Sequence, residues 1–165
     1  MLAYALLSLA LALSDLAATA VKPPFTGAQR HVATPPAQPL SFNEFFEASP
    51  RELKPTQKLL GLNGKRVKML GFMANLENAP SGAFYLAPRP VICDEAGGGT
   101  ADLPPESVRV IVRSAQGKKI QFIPRLLEVT GILEVGNRVE DDGQVSAIRL
   151  VLDQTKGKRI PTKTK

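Results

Sequence analysis

The chain has 165 residues and a formal net charge of +6, with fourteen prolines, thirteen glycines, one histidine, one cysteine and no tryptophan. A single histidine excludes a metal site built on two histidines, and a single cysteine excludes an internal disulfide. Five of the last ten residues are lysine or arginine, so the positive charge belongs largely to a basic tail over residues 154–165. We expect this tail to be solvated; contact with anionic lipid or a cell-surface polymer is the alternative.

The amino-terminal segment has the pattern of an export signal. Residues 2–13 form an uninterrupted run of apolar and small side chains, which is shorter than the roughly 20 residues that span a bilayer. Ala18-Thr19-Ala20 then gives the small-x-small pattern of a cleavage site before Val21. We predict a signal peptide over residues 1–20, a periplasmic or secreted protein, and no transmembrane span after signal removal. No basic residue precedes the run, so a buried helix or an uncleaved anchor is the alternative.

A proline-rich linker and a short helical lead-in follow the signal. Residues 21–40 contain five prolines, which favour extended states and exclude a helix or a central strand. The one histidine, His31, lies in this linker without fixed neighbours, which disfavours a metal-ligand role. Ser41-Phe42-Asn43-Glu44 matches a capping box. It predicts a short helix to about Ala48 within a lead-in over residues 41–57.

Residues 58–153 read as a run of short strands. Val67 and Met69 alternate with basic residues in a strand that begins at Arg66, and the apolar set slips by one residue at Gly71, which predicts a bulge there. Later runs with strand character are residues 83–87, 107–114, 119–123, 126–135 and 144–152. This number of short strands predicts a mainly β fold: a small five- or six-stranded barrel of the oligonucleotide/oligosaccharide-binding (OB) type with a short N-terminal helix.

The alternation of the last two runs also identifies a core. On the first run Val129 and Leu133 face the same way, and on the second Ile148 and Leu150 do so. Because one face of each strand carries mostly polar residues, we predict that these four side chains form part of the hydrophobic core.

Short motifs across residues 58–153 form a recognisable set: Leu62-Asn63-Gly64-Lys65-Arg66-Val67, Gly71-Phe72-Met73, Phe84-Tyr85-Leu86, Cys93, Leu103-Pro104-Pro105 and Glu128-Val129-Thr130-Gly131-Ile132-Leu133. Together they resemble a group of small exported bacterial proteins of unknown function. The resemblance implies an exported OB-like domain without a known activity. In that group a histidine typically follows the cysteine, whereas Asp94 follows Cys93 here, so a Cys/His metal site is not implied for this chain.

The loop from Cys93 to Asp102 is the most unusual stretch. It carries one thiol, three carboxylates and three consecutive glycines. A metal site built from Cys93, Asp94, Glu95 and Asp102 is one interpretation, although thiolate with carboxylates is a poor match for zinc. The other interpretation is an ordered surface turn with Cys93 buried as a small apolar side chain. Neighbouring carboxylates disfavour a thiolate, so we expect the thiol to be chemically quiet.

The sequence favours a binding module over an enzyme. It offers no nucleophile with a base beside it and no cofactor motif, so we predict neither catalysis nor a cofactor. We expect a non-catalytic binding or adaptor module of unknown ligand, with Arg109 and Arg113 on the exposed face of one strand. Another exported protein or a cell-envelope component is the expected partner. Nucleic acid is unlikely, because single strands require a basic groove with several stacking aromatics. The alternative function is metal binding by the Cys93–Asp102 loop.

Overall fold

A computed structural model describes residues 35–48, 52–93 and 99–153. The predicted signal peptide, most of the linker and the basic tail lie outside these ranges, so those three predictions stay untested. The described chain is mainly β-structure, as predicted. Among its residues there is no helix of the length and apolar character that crossing a membrane requires.

The described ranges contain eight strands and one short α-helix. The strands are β1 (Gln38–Pro39), β2 (Arg66–Met73), β3 (Asn75–Leu76), β4 (Ala83–Ala87), β5 (Ile92–Cys93), β6 (Val108–Ile111), β7 (Leu126–Val139) and β8 (Val145–Leu152). The helix is α1 (Gln57–Gly61), and single 3₁₀ turns occupy Phe42–Glu44, Gly99–Asp102 and Arg113–Ala115. The predicted strand over residues 119–123 is absent, since Lys119 makes only an isolated bridge to Ser81.

The main sheet has the hydrogen-bonded order β1-β2-β4-β6-β8-β7. Strand β2 pairs antiparallel with β4 near its carboxyl end and with β7 along most of its length. Strands β6 and β8 are parallel, and β7 and β8 form an antiparallel hairpin. Pairing therefore leads from β2 through β4, β6, β8 and β7 back to β2. Strands β3 and β5 form a separate two-stranded parallel sheet.

The predicted amino-terminal helix is wrong in its extent. The backbone N–H of Ser41 donates to Glu44 Oε2 at 2.9 Å, as a capping box requires, but the segment makes only one 3₁₀ turn and does not continue to Ala48. The reason is tertiary pairing, because Phe46 forms an antiparallel bridge with Pro55 and is held in an extended conformation. The lead-in thus becomes a turn, a bridge and the short helix α1.

The predicted bulge at Gly71 is also wrong. The register between β2 and β7 runs unbroken through the pair of Gly71 with Leu127. A Cβ at Gly71 would lie 2.8 Å from Leu86 Cγ and 2.9 Å from the Ala87 carbonyl oxygen, so the glycine marks the close approach of β4. The inward alternation continues past it along β2, through Val67, Met69, Gly71 and Met73.

A second glycine marks the place where β7 passes between two partners. Gly131 pairs with Val67 of β2 on one side and with Leu152 of β8 on the other. A Cβ at this position would lie 2.2 Å from the carbonyl oxygen of Val151. Only glycine fits such a close approach of two backbones, and glycine at this kind of position is typical of a tight bend in a strand.

The predicted core residues are confirmed. Val129, Leu133, Ile148 and Leu150 are each at most 6% exposed. They belong to one hydrophobic cluster with side chains of β2, β4 and β6 and of the lead-in segment. The lead-in contributes Phe42 and Phe45, and Leu40 and Leu59 join the cluster from the residues that flank it.

Leu133→Ala should lower the free energy of unfolding by about 2–5 kcal/mol, because it leaves a cavity in a packed core. Leu126→Ala is the matched control: the same change on the same strand, at a side chain that is 54% exposed, should cost about 0.5 kcal/mol or less. Urea unfolding of both variants measures the difference. Equal midpoints for the two variants would show that the inward face of β7 is misassigned.

Candidate functional site

The parallel pairing of β6 and β8 brings two buried arginines together. Arg109 and Arg149 are register partners, at 5% and 6% exposure. Tyr85 of β4 pairs with Arg109, and Glu134 of β7 pairs with Arg149. Because residues at matching register point to the same side of a sheet, these four side chains form one row across β4, β6, β8 and β7. We call it the arginine row; it lies on the face opposite the core.

Arg109 donates a pair of hydrogen bonds to Asp142 in the turn between β7 and β8. We call this turn, residues 140–144, the hairpin tip. Its Nη2 donates to Asp142 Oδ2 at 2.8 Å, and its Nη1 donates to Asp142 Oδ1 at 3.3 Å and to Tyr85 Oη at 3.2 Å. The guanidinium carbon lies 5.7 Å from the centroid of the Tyr85 ring, within the range of a cation–π contact. The buried Nε has no hydrogen-bond partner among the described residues. The two-oxygen contact to Asp142 is the geometry by which arginine recognises carboxylates.

The ion pair shifts both partners toward their charged forms. Burial alone would raise the pKa of Asp142, but hydrogen bonds from Arg109 and from the Gln144 backbone N–H outweigh it, and the pKa of that carboxyl falls below its ordinary value of 3.8. Burial likewise acts to lower the pKa of Arg109, whereas the hydrogen bonds with Asp142 and Tyr85 raise it. Both groups are therefore ionised at neutral pH.

Arg149 has a different set of partners, which includes two backbone carbonyl groups. Its Nε donates to Glu134 Oε2 at 3.1 Å, and its Nη1 donates to the carbonyl oxygens of Gly136 at 2.8 Å and Ser146 at 2.9 Å. Ser146 Oγ in turn donates to Glu140. Arg149 thus joins β7 to β8 through its Nε and Nη1 donors.

The hairpin that carries Asp142 changes direction before its tip. The register between β7 and β8 shifts between Val135 and Arg138. Beyond this irregularity the turn is closed locally, with Gln144 N–H donating to Asp142 Oδ1 at 3.2 Å. Thr100 Oγ1 donates to Gln144 Oε1 at 2.9 Å, so the 3₁₀ turn Gly99–Asp102 contacts the same tip. Beyond the shift, the turn carboxylate of Asp142 contacts Arg109 on the outer face of β6.

The two predicted ligand-binding arginines do not share a surface. Arg109 lies in the centre of the arginine row but is buried, and Arg113 is exposed on the 3₁₀ turn that follows β6. The expected exposed face with both residues is therefore wrong, because β6 ends at Ile111 and its alternation does not reach Arg113. A role for either residue in ligand binding stays a prediction.

Sequence reasoning missed most of the row. The sequence pattern assigns no role to Glu134 or Arg149, nor to Asp142, which contacts the row. Tyr85 was recognised as a strand residue without a role. The available signal was that Arg109, Arg149 and Glu134 all occupy the polar positions of alternating strands. What the sequence did not show was which strands are neighbours.

The alternative metal site is not assembled by the described residues. Cys93 is 2% exposed on β5, Asp102 is exposed on a 3₁₀ turn, and Asp94 and Glu95 lie outside the described residues. Within residues 35–48, 52–93 and 99–153, no group of three or more possible metal ligands occurs. The burial of Cys93 agrees with the small apolar side chain that the sequence suggested, and its chemical quietness stays a prediction.

Comparison with known proteins adds little to this picture. Neither a protein-family model nor a curated protein matches the chain. A crystal structure of a DUF3299 family protein from Pseudomonas aeruginosa PAO1 is similar with a TM-score of 0.40 and 12% sequence identity, over 72% of this chain and 94% of that one. A likeness at this level carries no argument about activity, so the functional argument rests on the side chains.

The lowered pKa of Asp142 makes a pH-dependent prediction. A carboxyl whose pKa is lower in the folded than in the unfolded chain stabilises the fold above the unfolded value, here about 3.8. That stabilisation disappears as pH falls through the folded pKa. The free energy of unfolding of wild type should therefore be larger than that of Asp142→Asn by a constant amount near neutral pH. This difference should disappear in acid, below about pH 3.8.

Urea unfolding over a pH series measures this gap. Asp141→Asn is the control, because it removes one negative charge from an exposed side chain directly beside Asp142. Its free energy of unfolding should differ little from that of wild type at every pH. A gap for Asp142→Asn that persists unchanged to the lowest pH would contradict the ion pair as its cause.

Proposed function

We propose that the chain is an exported, non-catalytic binding or adaptor module built on an OB-type barrel. The return of strand pairing from β2 through β4, β6, β8 and β7 to β2 supports a closed arrangement. The close approach of the β7 and β8 backbones at Gly131 supports it further, because a glycine inside a strand often marks a barrel corner.

The ligand face is the outer side of β4 and β6, beside the β7–β8 hairpin. OB-type barrels bind ligands on the middle strands of the sheet and the loops that flank them, which is an argument by analogy of fold. The observation that carries the assignment is the Arg109 guanidinium, 5% exposed on an outer face and held by a carboxylate from a turn. Burial of an ionised group is costly, and such arrangements concentrate at functional sites.

An exported protein or a cell-envelope component is the partner that fits this face. The arginine row supplies hydrogen-bond donors of fixed geometry and one aromatic ring, that of Tyr85. Stacking of successive nucleic-acid bases requires several such rings, so single-stranded nucleic acid is disfavoured. The proposal assigns no catalytic step and no cofactor.

An NMR titration locates the binding face directly. The ¹⁵N-labelled full-length chain is titrated with three blocked decapeptides, rich in glutamate, lysine or serine. The glutamate-rich peptide should shift the amide resonances of Tyr85, Arg109 and the hairpin tip. Shifts confined to the basic tail would indicate unspecific attraction between charges, and they would overturn the assignment, as would the absence of shifts on β4 and β6.

Export is tested by the mass of the processed chain. Expression of the full sequence in a bacterial host should yield periplasmic material whose intact mass corresponds to a chain starting at Val21. Replacing Ala18 and Ala20 by arginine should block processing, because cleavage requires small side chains at these positions. Recovery of the wild-type chain from the cytoplasm with Met1 still attached or with only Met1 removed would contradict export.

A further inference from the structure

The Arg109–Asp142 contact has the form of a ligand complex made within one chain. Both carboxylate oxygens of Asp142 accept from the two terminal nitrogens of Arg109, at 2.8 and 3.3 Å. This is the two-oxygen geometry that arginine uses for a carboxylate of any origin. The carboxylate comes from a hairpin turn, whereas the arginine and Tyr85 belong to the sheet.

We propose that Asp142 occupies the place of a ligand carboxylate, and that the hairpin tip is a self-inhibiting latch over a carboxylate-binding site. A glutamate, aspartate or terminal carboxylate of a partner segment replaces Asp142 on Arg109, and the tip moves aside. This inference rests on the proposed binding function and names its ligand class.

The way the tip is attached permits such an exchange. The Asp142 side chain is 32% exposed, whereas that of Arg109 is 6% exposed. Val139 and Val145, the last paired residues before the turn, are 69% and 63% exposed, so little apolar packing holds the tip down. The described contacts that hold it are polar, and an incoming carboxylate replaces the main one with a bond of the same kind.

The receiving side of the exchange stays in place. Arg109 keeps its hydrogen bond to the Tyr85 hydroxyl and its position over the Tyr85 ring without any help from the hairpin. Its buried Nε is one more donor on the same guanidinium. Arg149 beside it adds positive charge, and Glu134 of β7 balances that charge. A buried guanidinium without a counter-ion is strongly unfavourable, which favours capture of another carboxylate when Asp142 leaves.

The affinity of a glutamate-rich decapeptide with blocked ends, measured by calorimetry on the full-length chain, tests the latch. Asp142→Asn removes the internal competitor but keeps the shape of the side chain. It should bind the peptide at least about five-fold more tightly than wild type. The reason is that the apparent affinity of a site falls in proportion to the fraction of time for which the site is open. Asp141→Asn is the matched control and should change the affinity much less.

The outcomes separate the latch from the proposed function. An equal gain in both variants would show that net charge alone matters, and an unchanged or weaker affinity of Asp142→Asn would show that Asp142 is no competitor. Either result overturns the latch, while peptide-induced shifts on β4 and β6 of wild type would keep the binding face. No binding by wild type and both variants would overturn both.

A second readout uses wild type alone and does not depend on how a variant folds. In the closed hairpin Asp142 accepts from Arg109 at 2.8 Å and Gln144 accepts from Thr100 at 2.9 Å, so both contacts tie the tip to other segments. Displacement of the tip breaks these contacts, so saturation with the glutamate-rich peptide should lower the ¹⁵N order parameters of the tip amides. Order parameters that stay unchanged or rise at saturation would contradict displacement of the tip.

Discussion

Two guanidinium groups that lie side by side on a parallel strand pair must each find a counter-ion. Adjacent strands are only about 4.8 Å apart, so Arg109 and Arg149 would repel each other across β6 and β8 if either were unpaired. Glu134 neutralises Arg149, and Asp142 neutralises Arg109. Both carboxylates belong to the β7–β8 hairpin, so the course of this hairpin and the burial of the arginines depend on each other.

The two arginines differ in the kind of group to which they donate hydrogen bonds. Arg149 donates hydrogen bonds to Glu134 and to the carbonyl oxygens of Gly136 and Ser146. These bonds hold β7 and β8 together where their register shifts. Within the described residues, the hydrogen bonds of Arg109 go to two side chains, those of Tyr85 and Asp142. Because side chains can be exchanged for a ligand group more easily than backbone carbonyls, the proposed binding role falls to Arg109 and a structural role to Arg149.

The sequence predicted the positions of the strands better than it predicted which residues contact each other between strands. The period of two located β2, β7 and β8 and the inward position of Leu133, because alternation is a local signal. The burial of Arg109 depends on Asp142, which is 33 residues away, and no local pattern reports it. Gly71 shows the same limit, since a bulge and a close approach both require glycine, and only the neighbouring Leu86 distinguishes them.

A buried ion pair by itself contributes little to the free energy of unfolding. Two apolar side chains of similar volume often stabilise a fold as well as a buried pair does, because desolvation offsets the attraction. The arginine fork gives something that apolar packing does not, namely selection of a planar carboxylate by the direction of its hydrogen bonds. Exchange of Asp142 for a partner's carboxylate conserves the number of charge-assisted hydrogen bonds at Arg109. In the proposed exchange, the partner's remaining contacts with β4 and β6 must therefore offset the entropy lost on association, so specificity would reside in the surface around Arg109.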